Sequence, residues 1–187
     1  MKKHLITACL YTVITGIVLG IVYPLLVTGI ARLALHNQAD GQLIVQNGEI
    51  RGSRLIGQPF TGAGYFHSRP SFAGTGYDAS SSSGSNLAPT SKALIDKVNA
   101  GVTTENASGA VPVDLVTASG SGLDPDITPA AALYQVPRVA RERHLSEASL
   151  QQLVNAHTTP RQFGLLGEPR TNVLDLNMAL DSLAAKQ

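Results

Sequence analysis

A long uncharged segment near the start of the chain most constrains what the sequence can fold into. Residues 5–31 form a run of 27 positions without a charged side chain, rich in Leu, Ile, Val, Gly and Thr. As an α-helix this run would be about 40 Å long, whereas the hydrocarbon core of a bilayer is about 30 Å thick. The apolar region of a cleaved signal peptide is only about 7–15 residues long. The sequence therefore predicts an uncleaved transmembrane helix.

The charges that flank this segment predict its orientation. The amino terminus, Lys2 and Lys3 precede the segment, and only Arg32 follows it closely. Basic residues are retained on the cytoplasmic side of a membrane helix. We therefore expect residues 1–34 to form a cytoplasmic N-terminus and the transmembrane helix, and residues 35–187 to form one soluble exterior domain.

Small residues recur every fourth position along the predicted helix. They are Ala8, Thr12, Gly16, Gly20, Pro24 and Thr28. Small side chains let another membrane helix approach closely, so this spacing predicts a contact face for a partner around Thr12, Gly16 and Gly20. The alternative interpretation is that Gly and Thr are simply common in membrane helices.

The exterior part has the patterns of an α+β fold with its helices concentrated in the second half. Asn47-Gly48 between short β-prone runs predicts a hairpin. Alternation over residues 111–116 predicts a strand that Pro112 restricts to a sheet edge. Helices are predicted from Thr90 or Ser91 through Asn99 with Gly101 closing, from Thr128-Pro129 with Pro137 kinking or interrupting, from Ser146, and from Asn172.

Composition excludes some classes of function. The only cysteine is Cys9, in the apolar segment, so the exterior domain depends on a packed core rather than on disulfides. Residues 41–187 carry eleven basic and twelve acidic side chains. This balance argues against a nucleic-acid partner, which would require a basic surface.

Motifs for catalysis, metal binding or cofactor binding are not found. The sequence has neither a Walker A loop nor a G-x-S-x-G elbow, and its five histidines lack metal-ligand spacing. Asp114, Asp124 and Asp126 could supply paired carboxylates for acid–base chemistry. Asp124 before Pro125 is more simply explained as a turn residue whose carboxylate accepts a backbone hydrogen bond. We therefore predict no catalytic residue, no metal ligand and no cofactor bound by a motif.

Residues 60–86 are the most suggestive exterior surface. Five of the nine aromatic residues lie between positions 60 and 77. Aromatic rings beside a guanidinium are enriched at interface hot spots, so Tyr65, Phe66 and Arg69, together with Asn86, are predicted exterior partner contacts. The alternative is that these aromatic rings fill the core of the domain.

Six strings of the sequence, all in order, resemble the C subunits of the bacterial Kdp potassium-transporting P-type ATPase. They are residues 52–58 (GSRLIGQ), 65–71 (YFHSRPS), 84–87 (GSNL), 113–125 (VDLVTASGSGLDP), 134–140 (YQVPRVA) and 167–174 (GEPRTNVL). Thr171 departs from the pattern, in which a Val is expected.

The resemblance implies a non-catalytic accessory subunit of an inner-membrane potassium uptake complex, with its C-terminal domain in the periplasm. The implied partners are a P-type ATPase subunit, a channel-like potassium-translocating subunit and a small single-helix subunit. ATP is implied for the complex through the ATPase subunit. The implied role is assembly and stability of the complex, together with a catalytic-chaperone role that raises the ATP affinity of the ATPase subunit.

The predicted topology conflicts with direct binding of ATP, because ATP is cytoplasmic and most of the chain is expected outside. Any effect on ATP affinity is therefore expected to act through the membrane helix. Two alternatives stay open: an exterior ligand-binding module that uses residues 60–86, and a tethered hydrolase that uses Asp114, Asp124 or Ser121.

Overall fold

The computed structural model describes residues 1–46, 48–105 and 109–184. The chain divides into two compact units, Met1–Arg51 and Gly52–Gln187. The confirmed fold class is an apolar N-terminal helix followed by a mixed α/β region with most of its helices in the second half.

The first unit consists mainly of one long helix. Helix α1 (Lys2–Ile17), a π-helical segment (Val18–Val22) and helix α2 (Tyr23–Ala34) form a continuous run. This run of 33 residues is long and apolar enough to cross a membrane, with a mean hydropathy of 2.3 over an 18-residue window and none of its residues buried within the chain. A short helix α3 (His36–Ala39) follows.

The π-helical segment lies immediately before a proline of this helix. The Tyr23 N–H donates to the Val18 carbonyl, five residues back. In a regular α-helix the ring of Pro24 would clash with the carbonyl of Gly20, four residues back. The wider turn lets the helix continue past the proline, a local adjustment that membrane helices tolerate.

The predicted hairpin is confirmed. Strands β1 (Leu43–Gln46) and β2 (Glu49–Ser53) pair as a two-stranded sheet. Gly48 has a φ of 80°, the left-handed conformation expected for this turn. Asn47, the other predicted turn residue, lies outside the described residues.

In the second unit, helices α5 (Pro129–Arg143), α6 (Glu147–Ala156) and α7 (Val173–Ala184) form the core with a small sheet. The sheet is antiparallel in the order β3-β5-β4, with β3 at Asp126–Ile127, β4 at Thr158–Thr159 and β5 at Arg170–Asn172. Thr171 in the central strand is fully buried, and its hydroxyl lies 3.2 Å from the hydroxyl of Thr158 opposite. This hydrogen bond accounts for a polar residue at a core position.

The predicted starts of these three helices are confirmed by their caps. The Thr128 hydroxyl accepts the N–H of Ala131 at 3.2 Å, and Pro129 occupies the first helical position of α5. The Ser146 hydroxyl accepts the N–H of Ser149 at 3.1 Å, and the Asn172 side chain accepts the N–H of Asp175 at 3.1 Å. Each cap satisfies a backbone donor that has no partner within its helix.

The predicted strand at residues 111–116 is wrong. Residues Val113–Leu115 form a 3₁₀ turn, in which the N–H of Leu115 donates to the Pro112 carbonyl at 3.1 Å. Asp114 and Leu115 are adjacent yet both buried, which the alternation of a strand does not allow. The Asp114 carboxylate accepts the N–H of Thr128 at 2.8 Å, so the turn is fixed by a contact 14 residues away in the sequence.

The other two errors concern the ends of helices. Helix α4 begins as predicted after Ser91 but runs from Lys92 to Glu105, past Gly101. A Cβ at Gly101 would lie 3.3 Å from Val116, so this glycine permits a close packing contact instead of ending the helix. Helix α5 runs through Pro137 to Arg143, so of the two predicted effects of this proline the interruption is wrong, and the kink stays a prediction. Val136 and Val139 on either side of the proline are buried, and their packing helps to keep the helix intact.

Two buried amides fix a loop segment on the helical core. Asn177 of α7 accepts the N–H of Phe66 and donates to its carbonyl, both at 2.9 Å. Gln135 of α5 accepts the N–H of His67 at 2.7 Å and donates to its carbonyl at 3.2 Å. Both amides are 1% exposed. The backbone N–H and carbonyl groups of two consecutive loop residues thereby all have hydrogen-bond partners. The ring of Phe66 is held in the core with no exposed surface.

The remaining loops are held to one another by backbone contacts around residues 120–124. The Gly57 N–H donates to the Leu123 carbonyl at 2.8 Å, and the Ser71 hydroxyl donates to the Gly122 carbonyl at 2.6 Å. Gly122 has a φ of 66°, and a Cβ there would lie 2.5 Å from the carbonyl oxygen of Ser83. Glycine is therefore required at this position for both conformation and space.

We predict that Asn177→Ala lowers the free energy of unfolding of the second unit by about 2–4 kcal/mol, because the N–H and carbonyl of Phe66 lose their partners inside the core. The measurement is urea unfolding of the full-length protein in detergent, followed by circular dichroism. Asn155→Ala, at an exposed position of α6, is the matched control and should change stability by less than about 0.5 kcal/mol. Equal effects of the two variants would contradict the role assigned to Asn177.

We predict that Gly122→Ala destabilises the protein by at least about 2 kcal/mol, whereas Gly120→Ala in the same motif changes stability little. A Cβ at Gly120 meets nothing within 4 Å, and Gly120 has no positive φ. The two variants are compared by thermal unfolding of the full-length chain. A Gly122→Ala protein as stable as the Gly120→Ala protein would show that the loop contacts around Gly122 are dispensable.

Candidate functional site

Among the described residues of the first unit, nothing packs closely on the two glycines of the predicted contact face of the apolar helix. Thr12, Gly16 and Gly20 are exposed, and a Cβ at either glycine would meet nothing within 4 Å. In a regular α-helix, positions four residues apart are displaced by about 40° around the axis. The wider turn at Val18–Val22 rotates less per residue and so opposes this displacement. Gly20 lies inside the wider turn, so the angle around the helix axis between Gly20 and Gly16 is smaller than in a regular α-helix.

The four predicted exterior contact residues lie in different environments. Phe66 is fully buried, so its ring belongs to the core, as the alternative interpretation of the aromatic residues proposed. Tyr65 is half-buried, with its hydroxyl 3.2 Å from Asp181. Asn86 is exposed and has a φ of 51°. Partner contacts by Tyr65, Arg69 and Asn86 stay a prediction.

Arginines of α5 tie the segment around Tyr65 to the helices. Arg143 lies over the ring of Tyr65, with its guanidinium carbon 4.3 Å from the ring centroid. Arg143 also donates to the Gly64 carbonyl at 2.8 Å and to Asp181 at 2.8 Å. Arg138 donates to the carbonyls of Ala63 and Tyr65. The aromatic and arginine side chains of this segment therefore make their contacts within the domain.

The predicted carboxylates converge on a cleft of about 280 Å³. Its charged lining residues are Arg69, Asp114, Asp124, Asp126, Glu168 and Arg170. The sequence identified the aspartates but did not indicate that Arg69 and Arg170 face them, because Arg69 lies in a distant loop and Arg170 in strand β5.

The aspartates of the cleft are engaged in structural hydrogen bonds. Asp124 accepts the N–H of Asp126 at 3.1 Å, the turn role that was predicted for it, and pairs with Arg69 at 3.2 Å. Asp126 pairs with Arg170 at 3.0 Å and accepts a hydrogen bond from Asn172 at 3.2 Å. Burial raises the pKa of Asp126 above its ordinary value, and the interactions with Asn172 and Arg170 oppose this rise. The arrangement stabilises loops and strands.

Other groups considered for catalysis are also engaged in local structure. The Ser121 hydroxyl accepts the N–H of Leu123 at 3.1 Å. The His67 ring lies 3.1 Å from the Gly62 carbonyl, and burial together with the charge of Arg138 lowers its pKa. Within residues 1–46, 48–105 and 109–184, no group of three or more His, Cys, Asp or Glu side chains could hold a metal ion.

A second concave surface, a groove of about 430 Å³, was not predicted. It lies between the segment at Pro70–Phe72 and helix α4, and its apolar lining includes Phe72, Leu94, Val98 and Val116. Lys97 lies over the ring of Phe72, with its ammonium 4.2 Å from the centroid. The spacing of Leu94 and Val98 indicates an apolar helix face but does not reveal what lies opposite.

Comparison with known proteins assigns the chain to a family. A family model described as "KdpC: K+-transporting ATPase, c chain" matches residues 5–182. A potassium-transporting ATPase KdpC subunit of Acidobacterium capsulatum is 61% identical over 182 residues, which cover 97% of this chain and 99% of that protein. The KdpC subunit of Koribacter versatilis is 58% identical over 184 residues, covering 97% of this chain and 95% of that protein.

A third relative, the KdpC subunit of Rhodopseudomonas palustris strain BisB5, is 53% identical over 201 residues and covers both chains completely. The similarity thus spans the apolar helix and the whole second unit. The chain belongs to the KdpC family, the c chains of K+-transporting ATPases.

Proposed function

We propose that this chain is a non-catalytic accessory subunit of an ATP-driven potassium uptake complex, needed for assembly and stability of that complex. Membership of the KdpC family supports its place in such a complex. The observation that carries the non-catalytic role is that the candidate catalytic groups, Asp124, Asp126 and Ser121, are each hydrogen-bonded within the fold. These hydrogen bonds give each group a structural role, whereas a general base or nucleophile must in addition be placed against the substrate.

The proposed location is the bacterial inner membrane, with the N-terminus in the cytoplasm and the C-terminal domain in the periplasm. The apolar helix Lys2–Ala34 supports a single membrane crossing. Lys2 and Lys3 before the apolar segment support this orientation.

The proposed partners are the P-type ATPase subunit, the channel-like potassium-translocating subunit and a small single-helix subunit of the same complex. Thr12, Gly16 and Gly20 offer a helix face on which a partner helix could pack closely, because their side chains are small and exposed. In the exterior domain, Tyr65, Arg69 and Asn86 are the proposed contact residues.

We further propose that any effect of this chain on ATP affinity acts through the membrane helix, by a change in the conformation of the ATPase subunit. The second unit binds its own loops through Arg69, Arg138 and Arg143, and arginine is the residue type best suited to bidentate binding of phosphate. This use of the arginines favours an indirect role over direct binding of ATP.

The alternative function is a membrane-anchored exterior ligand-binding module. The groove of about 430 Å³ beside Phe72 favours it, since a volume of this size is within the range of small-molecule sites. Lys97 at this groove would suit an anionic group on an otherwise apolar ligand.

The test of the proposed function is affinity purification of the tagged full-length chain from membranes of cells that express the complex. We expect a large P-type ATPase and a multi-spanning channel-like protein to co-purify in a fixed ratio. In the Gly16→Leu, Gly20→Leu double variant, bulky side chains block the helix face, so we expect these partners to be lost. Ile14→Ala, which alters an exposed residue on the side of the same helix opposite Thr12 and Gly16, should retain them.

A wild-type chain that purifies alone would contradict the proposed function and favour the ligand-binding alternative. If the double variant retained its partners unchanged, only the proposal that a partner packs on the small-residue face of the helix would be contradicted. Immunoblotting of the membranes for both variants separates loss of contact from loss of the protein.

For the indirect effect on ATP affinity, we predict that a photoreactive ATP analogue labels the ATPase subunit of the intact complex and not this chain. The physical reason is that ATP is cytoplasmic, whereas residues 35–187 are proposed to lie outside. Labelled peptides are identified by mass spectrometry. Labelling of the second unit that excess ATP prevents would contradict both the orientation and the indirect mechanism.

A further inference from the structure

The loop between β4 and β5 presents large apolar side chains to the outside. In the segment 161–168, which we term the apolar tip, Phe163 is 93% exposed, Leu165 is 80% exposed and Leu166 is 59% exposed. A fully exposed aromatic side chain presents on the order of 150–250 Å² of mostly apolar surface. Single exposed apolar residues are normal, but three within four positions mark a contact surface.

The apolar tip has a defined backbone conformation. Gln162 and Leu166 exchange two backbone hydrogen bonds, each 2.9 Å long. The Leu165 N–H donates to the Gln162 carbonyl at 3.1 Å, and Phe163 and Gly164 have φ values of 54° and 74°. Positive φ at both central residues identifies a type I′ turn.

Phe163 is an unusual residue for this turn. Bulky side chains rarely adopt positive φ, and type I′ turns favour Asn, Asp or Gly. The ring of Phe163 recovers little of this cost by packing within the chain, because it is almost completely exposed. A strained, preformed turn that presents an aromatic ring is better explained by a contact made outside the chain.

The charges around the apolar tip favour a protein partner over a lipid surface. Arg161 pairs with Glu168 at 2.5 Å, and Arg170 pairs with Asp126 at 3.0 Å, so the basic residues at its base are neutralised. Segments that insert into anionic membranes combine an apolar face of Trp, Phe or Leu with unpaired Lys or Arg on their polar face. Residues 158–184 contain no Lys, and their two arginines, Arg161 and Arg170, are the paired ones.

We propose that the apolar tip inserts Phe163 and Leu165 into a preformed apolar pocket on a protein partner, the pocket being rimmed by uncharged polar groups. Because the base of the tip is charge-balanced, a strongly charged rim would gain no complementary contact there. The proposal rests on the proposed function, which supplies membrane partners that expose a surface on the same side as the second unit.

The first experiment incorporates the photoreactive amino acid p-benzoylphenylalanine at position 163 of the tagged full-length chain in cells that express the complex. Irradiation of intact cells is expected to give one adduct with a co-purifying subunit, identified by mass spectrometry. The same amino acid at Gln151, an exposed position on α6, measures background labelling.

Each other outcome overturns the proposal. An adduct with phospholipid would mean that the tip contacts the membrane, and an adduct with a second copy of the chain would mean self-association. Absence of any adduct above the Gln151 background would mean that the tip faces solvent. If the wild-type chain still brings down the complex in these cases, the proposed function stands and only the docking by the tip fails.

The second experiment measures retention of the partners by the Phe163→Ser, Leu165→Ser double variant during detergent washing. We expect retention to fall at least about tenfold, because an aromatic anchor of an interface contributes strongly to affinity. Val113→Ser, which removes another strongly exposed apolar side chain, is the matched control and should behave like the wild type.

Unchanged thermal unfolding of the double variant is expected, since both side chains are exposed. Retention equal to that of the Val113→Ser variant, in a folded protein, would overturn the proposal.

Discussion

Two side-chain amides hold the loop-rich part of the second unit on its helices. Asn177 and Gln135 bind the backbone of Phe66 and His67 on both the donor and the acceptor side. A buried backbone segment outside a sheet must find such partners, or its polar groups cost free energy of folding. Because both amides are almost fully buried, these bonds are shielded from competing water. The position of Phe66 in the core follows from them.

The same constraint organises the neighbouring residues. With Phe66 fixed, Tyr65 lies beside Arg143 and Asp181, and Arg69 reaches Asp124. The pairing of Arg69 with Asp124 joins this segment to the turn before β3, where Gly122 allows close approach of two loops. Residues that are far apart in the sequence thus meet at one set of loop contacts, where their side chains stabilise the fold.

Local signals in the sequence were sufficient to predict the apolar N-terminal helix, the hairpin and the starts of the helices. The caps at Thr128, Ser146 and Asn172 depend on residues only three positions away, and the apolar segment needs no tertiary contact to be recognised. The errors at Val113–Leu115 and Gly101 have a different origin. Their conformations depend on Thr128 and Val116, which lie 14 and 15 residues further along the chain. No local pattern contains that information.

The same distinction applies to the candidate sites. Phe66 was predicted as an exterior contact because residue type alone does not reveal that Asn177, 111 residues away, holds its backbone in the core. The apolar tip was missed because Phe-Gly is not a recognised signal for a type I′ turn. The groove was missed because its two walls, the segment around Phe72 and helix α4, meet only in the folded structure.

The distribution of exposed apolar surface is consistent with a subunit that is covered by partners. Aspartates and arginines of the second unit bind one another or the backbone, and they are therefore poorly available to a substrate. In the part of the chain that the structure describes, the exposed surfaces include the small-residue face at Gly16 and Gly20 and the apolar tip at Phe163. Exposed apolar surface that packs against nothing in its own chain marks a place where a partner is expected to cover it. The helix face and the apolar tip are therefore where partner contacts are best sought.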